Sequence, residues 1–224
     1  MGGTAAAAPL RRGRKFDQVL AGAREVFLRD GFEGAVVDEI ARQAGVSKAT
    51  LYSYFPDKRE LFLAVVRNEC EAQAQRATAV IDESQPPEIV LRKAAEQIVG
   101  FVVSRFALRI FRICLAEADR FPELGQAFYN SGPMLGRSRL SSYMQKAAAR
   151  GQLVIDDFEL AADQYAELCK ANIWNRAAFG VQNSFSQAEM ERTINGAVAV
   201  FMARYGANGN IAGAGSAHPG KSAD

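Results

Sequence analysis

Histidine and cysteine are scarce in this chain of 224 residues, which has one histidine, His218, and three cysteines, Cys70, Cys114 and Cys169. The cysteines lie far apart and form no Cys-x-x-Cys pair, so the sequence indicates neither a zinc finger nor a disulfide framework. A zinc hydrolase or a di-iron helical bundle would place histidines in its core, and here the single histidine stands in a Gly/Ala/Ser-rich stretch. We therefore expect no metal, no cofactor and reduced, buried thiols.

Long apolar runs and a strong charge imbalance are also missing. The chain carries 27 Lys and Arg against 25 Asp and Glu, a net charge of +2, which disfavours a protein that coats nucleic acid without selectivity. No run is long enough to span a membrane, and the first residues lack the apolar core of a secretory signal. We expect a cytoplasmic protein with no membrane partner. Positive charge is concentrated at 11–15, where a DNA-contacting arm and a solubilising tail are equally good interpretations.

The segment 37–55 predicts two short helices joined by a tight turn. Gly45 stands where a helix can end through a positive φ, and Ser47 is a good N-cap for a second helix. Leu51 and Phe55 then recur on one face of that helix. The spacing is that of a helix-turn-helix, although an ordinary pair of antiparallel helices explains these residues about as well.

The residues around this segment resemble the DNA-binding domain of the TetR family of bacterial repressors, over about 16–66. The similarity is ungapped and dense, and it implies that the second helix of the motif enters the DNA major groove. The matching residues are Ala23, Phe27, Gly31-Phe32, Ile40-Ala41, Ala44-Gly45-Val46-Ser47, Thr50-Leu51-Tyr52, Tyr54-Phe55, Lys58 and Leu61.

Seven residues are predicted to contact DNA. The groove-facing set should read bases through a lysine donor and through apolar contacts to a thymine methyl, and the resemblance assigns the others to phosphates. The groove-facing residues are Lys48, Ala49, Tyr52 and Ser53, and the phosphate contacts are Thr50, Tyr54 and Lys58. One departure from the family is that Ala35 and Val36 stand where a capping Thr or Ser is usual, which removes a cap worth about 1 kcal/mol.

The remainder of the chain predicts helices over about 57–80, 88–104, 106–119, from 121 to about 150 with a break at 131–133, 158–179 and 187–205, and no strand. We expect an all-α fold with four segments: a disordered basic arm (1–13), a three-helix helix-turn-helix domain (14–66), a helical ligand-binding and dimerisation domain (67–205) and a disordered tail (206–224). The elements Phe121-Pro122-Glu123-Leu124, Ala127-Phe128-Tyr129 and Gly132-Pro133 resemble the AefR-like regulatory domain of this family.

A homodimer is expected, because one recognition helix reads too few base pairs for tight binding. Two helical stripes are candidate dimer faces, Met190, Ile194, Ala197 and Phe201 in one and Ala161, Tyr165, Leu168 and Asn172 in the other; intramolecular core is the alternative. A small-molecule effector should occupy a pocket among the middle helices. Its predicted lining is Phe101, Phe106, Phe111, Phe128, Tyr143, Trp174 and Phe179.

Together these patterns predict a ligand-responsive, sequence-specific DNA-binding transcriptional regulator, with a repressor that binds an inverted repeat as a dimer favoured by the resemblance. No nucleophile–base pair, metal cluster or phosphate loop supports an enzyme. A helical enzyme with a DNA-binding head and a non-specific DNA-binding protein remain the alternatives.

Overall fold

The computed structural model describes residues 13–79 and 81–207. The predicted arm (1–13, except Gly13) and the predicted tail from 208 onward lie outside this range. The described residues form eleven helices and no strand beyond one isolated bridge between Leu153 and Gly206, so the all-α prediction is confirmed for them. The helices are α1 (Arg14–Gly34), α2 (Val37–Ala44), α3 (Lys48–Tyr54), α4 (Lys58–Ala79), α5 (Pro87–Val102), α6 (Arg105–Ala116), α7 (Pro122–Ser131), α8 (Pro133–Ala149), α9 (Phe158–Leu168), α10 (Trp174–Ala178) and α11 (Gln187–Tyr205).

Polar caps fix where several helices begin. The side chains of Asp157 and Ser186 accept hydrogen bonds from the first turns of α9 and α11. At α11 the Glu189 carboxylate also accepts from the Ser186 backbone N–H at 3.0 Å, which completes a capping box. Pro occupies the start of α5, α7 and α8, where its missing N–H costs nothing.

The prediction of one helix over 158–179 is wrong, because the chain turns between α9 and α10. Asn172 adopts a φ of 67°, a left-handed conformation that Asn tolerates better than most residues. Cys169 and Ile173 on either side are fully buried, so the turn stays anchored to the core. Helical periodicity alone gives no sign of this turn, since the apolar residues continue in phase across it.

Two apolar cores organise the molecule, and they do not divide at the predicted boundary between 66 and 67. The first joins α1–α4 to α6 and α7, with Phe106 and Leu124 packed among residues of the helix-turn-helix region. The second joins α5, α8, α9 and α11, where the Tyr165 hydroxyl donates to the Leu91 carbonyl at 2.6 Å. The 22-residue helix α4, about 33 Å long, contributes all of its buried residues, from Leu61 to Cys70, to the first core.

The two stripes predicted as dimer faces lie largely inside the chain. Ile194, Ala197 and Phe201 of α11 are buried in the second core, as are Ala161 and Tyr165 of α9. The intramolecular alternative is therefore the correct one for these stripes.

Within the described ranges, no helix is both long and apolar enough to cross a membrane.

Candidate DNA-binding surface and effector cavity

The base of the helix-turn-helix is a close contact between α1 and α2 that depends on Gly22. A Cβ placed on Gly22 would lie 2.7 Å from the backbone N of Ala44 and 2.8 Å from its Cβ. Only glycine lets the two backbones approach this closely. The sequence reasoning missed Gly22, although a glycine in the middle of an amphipathic helix is itself a signal of close packing.

The turn after α2 has the predicted geometry. Gly45 has φ 65° and ψ 34°, and the N–H groups of Gly45 and Val46 donate to the carbonyls of Arg42 and Ala41 at 3.2 and 3.1 Å. This pairing is a Schellman motif, which satisfies two terminal carbonyls of α2. The start of α2 has no side-chain cap, as the apolar residues before it predict, and Val36 is exposed there.

The second helix of the motif, α3, packs on the first core with one face and exposes the other to solvent. Ser47 accepts from the backbone N–H of Thr50 at 3.1 Å, and its hydroxyl also lies 2.8 Å from the Thr50 hydroxyl. Leu51 and Phe55 are buried in the first core, so the opposite face of α3 is turned to solvent. The exposed face begins at Lys48 and includes Tyr52 one turn later.

The four residues predicted to face the groove are all exposed: Lys48, Ala49, Tyr52 and Ser53. The Lys48 ammonium lies 2.7 Å from an Asp38 carboxylate oxygen, and this hydrogen bond is the main cause that raises the pKa of Lys48. Both side chains are more than half exposed, so the pair is weak and a DNA acceptor can displace it. The Ser53 hydroxyl donates to the Thr50 carbonyl at 2.6 Å and keeps its lone pairs for another donor.

The predicted phosphate contacts differ in how available they are. Tyr54 is half-buried, with its ring edge-on to Phe16 at 5.6 Å. The Lys58 ammonium donates to the backbone carbonyls of Glu33 and Ala35 at 3.1 and 3.3 Å, where α1 ends. Two of the three N–H groups of Lys58 therefore already donate to backbone carbonyls at the end of α1. The contact of Lys58 with phosphate stays a prediction.

Side chains of α7 and of the segment just before it connect α1 and the start of α4 to the rest of the protein. Phe32 at the end of α1 packs edge-on against Phe121 with ring centroids 5.4 Å apart. Glu33 pairs with Arg120, and Arg59 lies 3.3 Å from a Glu123 carboxylate oxygen. These contacts explain why the first core crosses the predicted domain boundary.

A cavity of about 510 Å³ lies between α4, α5 and α8. Of the seven aromatic residues predicted to line a pocket, Phe101 and Tyr143 line this one. The other five do not: Phe106 and Phe128 pack on the first core, Phe111 stacks edge-on with Trp174 at 4.9 Å, and Phe179 is 84% exposed. Helical periodicity and residue type do not determine which aromatic side chains meet in space, so they do not predict which of the seven share a cavity.

The cavity wall is mainly aliphatic and includes residues that the sequence reasoning did not select. Gln97 of α5 and Arg139 of α8 are its notable polar members. The Arg139 guanidinium donates to the Ala74 carbonyl and the Thr78 hydroxyl, so it links α8 to α4. Gln97 and Arg139 have the helical spacing of ordinary surface residues, so no pattern in the sequence marks them.

The cysteines are buried, and burial raises the pKa of Cys114 and Cys169 to about 12 each. Such thiols are poor nucleophiles. Among the described residues, no group of three or more His, Cys, Asp or Glu side chains is arranged to hold a metal ion.

A capped, outward-facing second helix on an all-helical scaffold defines a helix-turn-helix DNA-binding protein. Two family models match parts of the chain: the tetR family of bacterial regulatory proteins matches residues 19–65, and the C-terminal domain of AefR-like transcriptional repressors matches residues 89–207. The chain belongs to the TetR family of transcriptional regulators, and its relatives are regulators rather than enzymes.

Solved structures agree with this assignment over most of the chain. A protein from Mesorhizobium loti described as a TetR-family transcriptional regulator superposes with a TM-score of 0.80 at 32% identity, covering 86% of this chain and 97% of the other. The flavonoid-responsive regulator FrrA superposes with a TM-score of 0.73 at 34% identity, covering 87% and 98%.

Curated relatives match over a shorter stretch. The transcriptional activator FasR of Mycolicibacterium smegmatis is 36% identical over 93 residues, which is 42% of each chain. The transcriptional repressor AcnR of Corynebacterium glutamicum is 34% identical over 73 residues, 33% of this chain and 37% of its own length. The matches thus span about two-fifths of each of these relatives.

Proposed function

We propose that this protein is a ligand-responsive, sequence-specific repressor that binds an inverted-repeat operator in the cytoplasm as a homodimer. The observation that carries the proposal is the exposed face of α3, held rigidly from below by Leu51 and Phe55. Helix α4 follows α3 in the chain, and its C-terminal half lines the cavity, so a bound ligand can shift the position of α1–α3. Repression is favoured over activation by the AefR-like repressor domain that matches residues 89–207.

Ligand response is supported by the cavity and by the name of a similar protein, FrrA, which is described as flavonoid-responsive. The effector must bind the DNA-incompetent state more tightly than the DNA-bound one. A coupling free energy of about 1–3 kcal/mol changes operator affinity about 5- to 150-fold.

The dimer is proposed to form through the outer faces of α9 and α11. Leu160 and Val200 are about half exposed there, and Ala199 and Ala203 leave room for a close approach of a second copy. Sedimentation at micromolar concentration should give twice the chain mass of 24.3 kDa. Val200→Glu should lower this mass, whereas Leu115→Glu on α6 should not; a single-chain mass for the wild type would refute the dimer.

Selection of bound sequences from random DNA tests the function directly, and the expected product is an inverted repeat. The double variant Lys48→Ala/Tyr52→Ala should then lose selective retention, since each base contact is worth about 1–3 kcal/mol. The matched control is Lys93→Ala/Tyr129→Phe, which changes exposed residues on α5 and α7. Unchanged selectivity in the α3 variant would refute the assignment of α3 as the recognition helix.

A further inference from the structure

We infer that the cavity between α4, α5 and α8 takes a small molecule that joins an apolar body to a carboxylate, and that Arg139 binds the carboxylate. The inference rests on the proposed ligand response and names the chemical class of the effector. Its basis is the set of hydrogen bonds that the Arg139 guanidinium makes and the set that it leaves open.

One edge of the Arg139 guanidinium is held against α4. Both of its hydrogen bonds use Nη1, which donates to the Ala74 carbonyl and to the Thr78 hydroxyl. The Thr78 hydroxyl donates in turn to the Ala74 carbonyl at 2.9 Å. Ala74 and Thr78 line the cavity together with Arg139, so these contacts fix the guanidinium in the cavity wall.

The other edge of the guanidinium is open. Within the part of the chain that the structure describes, Nε and Nη2 of Arg139 make no hydrogen bond and Arg139 forms no ion pair with Asp or Glu. The parallel N–H groups of Nε and Nη2 match the two oxygens of a carboxylate. Because Nη1 already holds the guanidinium, a carboxylate can bind with little further loss of side-chain freedom. Arg139 is exposed, so an acid can reach it from solvent.

The charges beside the cavity favour an anion. Glu83 is the acidic residue of the described lining, and its carboxylate lies 2.8 Å from the Lys146 ammonium. The Arg150 guanidinium donates to the Glu83 backbone carbonyl at 3.1 Å, so a second cation lies beside the same residue. Arg139, Lys146 and Arg150 recur at a spacing that keeps them on one face of α8 and its C-cap. This face therefore brings three cations to the side of the cavity where Glu83 supplies a single negative charge.

The rest of the lining suits an apolar body. Ile98, Phe101 and Leu135 are among the apolar side chains of the wall, and the volume of about 510 Å³ lies within the range of about 300–1,000 Å³ of small-molecule sites. A carboxylate carries one negative charge and uses one guanidinium edge. A phosphate dianion would need a second cation, and Arg139 is the cationic residue of the described lining. The expected ligand class is therefore an amphipathic carboxylic acid.

Two matched probe pairs test this in the full-length protein by isothermal titration calorimetry at pH 7.5: octanoate against octanamide, and biphenyl-4-carboxylate against biphenyl-4-carboxamide. Within each pair the planar head keeps its shape and loses its charge. Because hydrogen bonds to charged groups are stronger than neutral ones, the carboxylate of at least one pair should bind about tenfold or more tightly than its amide. The inference is overturned if neither carboxylate does so, which includes the case that none of the four probes binds.

A variant tests the assignment to Arg139. Arg139→Gln removes the cation and should weaken carboxylate binding by about tenfold or more, with less than about a threefold change for the amide. The matched control is Arg67→Gln, which removes an exposed cation of α4 outside the cavity and should change neither affinity. Circular dichroism of both variants verifies folding. Carboxylate affinity that survives Arg139→Gln, or that falls no further than amide affinity, would overturn the assignment.

Salt gives the same test without a variant. Because Arg139 is exposed, raising the salt concentration should screen its attraction for the carboxylate and weaken that probe, while the amide keeps its affinity. An equal response of carboxylate and amide to salt would contradict an ion pair at this site.

Operator retention, measured separately, distinguishes this inference from the proposed function. A carboxylate that binds the free protein without changing DNA affinity would remove the ligand response and leave the cavity chemistry intact. An amide that binds more tightly than its carboxylate and releases DNA would remove the carboxylate class and leave the ligand response intact.

Discussion

Adding one methyl group at Gly22 should disturb the helix-turn-helix by more than the gain in helix propensity can offset. The new Cβ would meet backbone and Cβ atoms of Ala44 at 2.7–2.9 Å. Side chains can rotate away from such a contact but backbone cannot, so α1 and α2 must separate by several tenths of an ångström.

The magnitude follows from two opposing effects. Overpacking of this kind costs about 1–3 kcal/mol, and replacing a mid-helix glycine by alanine returns about 0.5–1 kcal/mol. The mid-range values leave a net loss of about 1 kcal/mol, which should lower the Tm by roughly 2–4 °C in a chain of this size. The matched control is Gly100→Ala in α5, where a Cβ would meet nothing within 4 Å. That variant should keep or raise the Tm.

Thermal unfolding followed by circular dichroism gives both values, and hydrogen exchange can show that the loss is confined to α1–α3. Operator affinity should also fall for Gly22→Ala, because α3 follows α2 through the rigid turn at Gly45. If Gly22→Ala were as stable as Gly100→Ala and bound DNA normally, the close contact between α1 and α2 would not be the base on which α3 is positioned.

Two further substitutions test contacts elsewhere. Lys58→Met should lower the free energy of unfolding by about 1–3 kcal/mol, because two carbonyls near the end of α1 lose their donor. The matched control is Arg67→Met, which removes an exposed cation from the same helix. Denaturant unfolding measures both variants, and equal stability of the two would contradict this prediction. The Ser186 backbone N–H, with the Gln182 side chain, lowers the pKa of Glu189 from 4.5 to about 2. A lowered folded-state pKa stabilises the protein above pH 4.5, and this stabilisation is lost as the pH falls from 4.5 to 2. The Tm difference between wild type and Glu189→Gln should therefore shrink over that window, and a constant difference would show that the carboxylate charge does not contribute.

Local features of the fold are predictable from sequence because their causes lie within a few residues of them. The turn at Gly45 needs a left-handed residue, and the caps at Ser47, Asp157 and Ser186 need a short polar side chain beside free N–H groups. The exposed and buried faces of α3 follow from helical spacing in the same way.

Contacts between distant segments are where prediction from the sequence failed. From the sequence, the apolar stripes of α9 and α11 could form either a dimer face or part of the core. They are part of the core because α5 and α8 pack against them. The aromatic residues assigned to one pocket are spread over two cores and the surface for the same reason.

By itself, then, the sequence determined most of the helices, the turn at Gly45 and the outward face of α3, because each depends on neighbours within one or two helical turns. The tertiary structure alone decided that Gly22 must lie against Ala44, that Lys58 points into the head, and that Gln97 and Arg139 share a cavity wall. Those outcomes depend on how whole helices cross, and helix crossing is set by the summed packing of both faces rather than by any one stretch of residues.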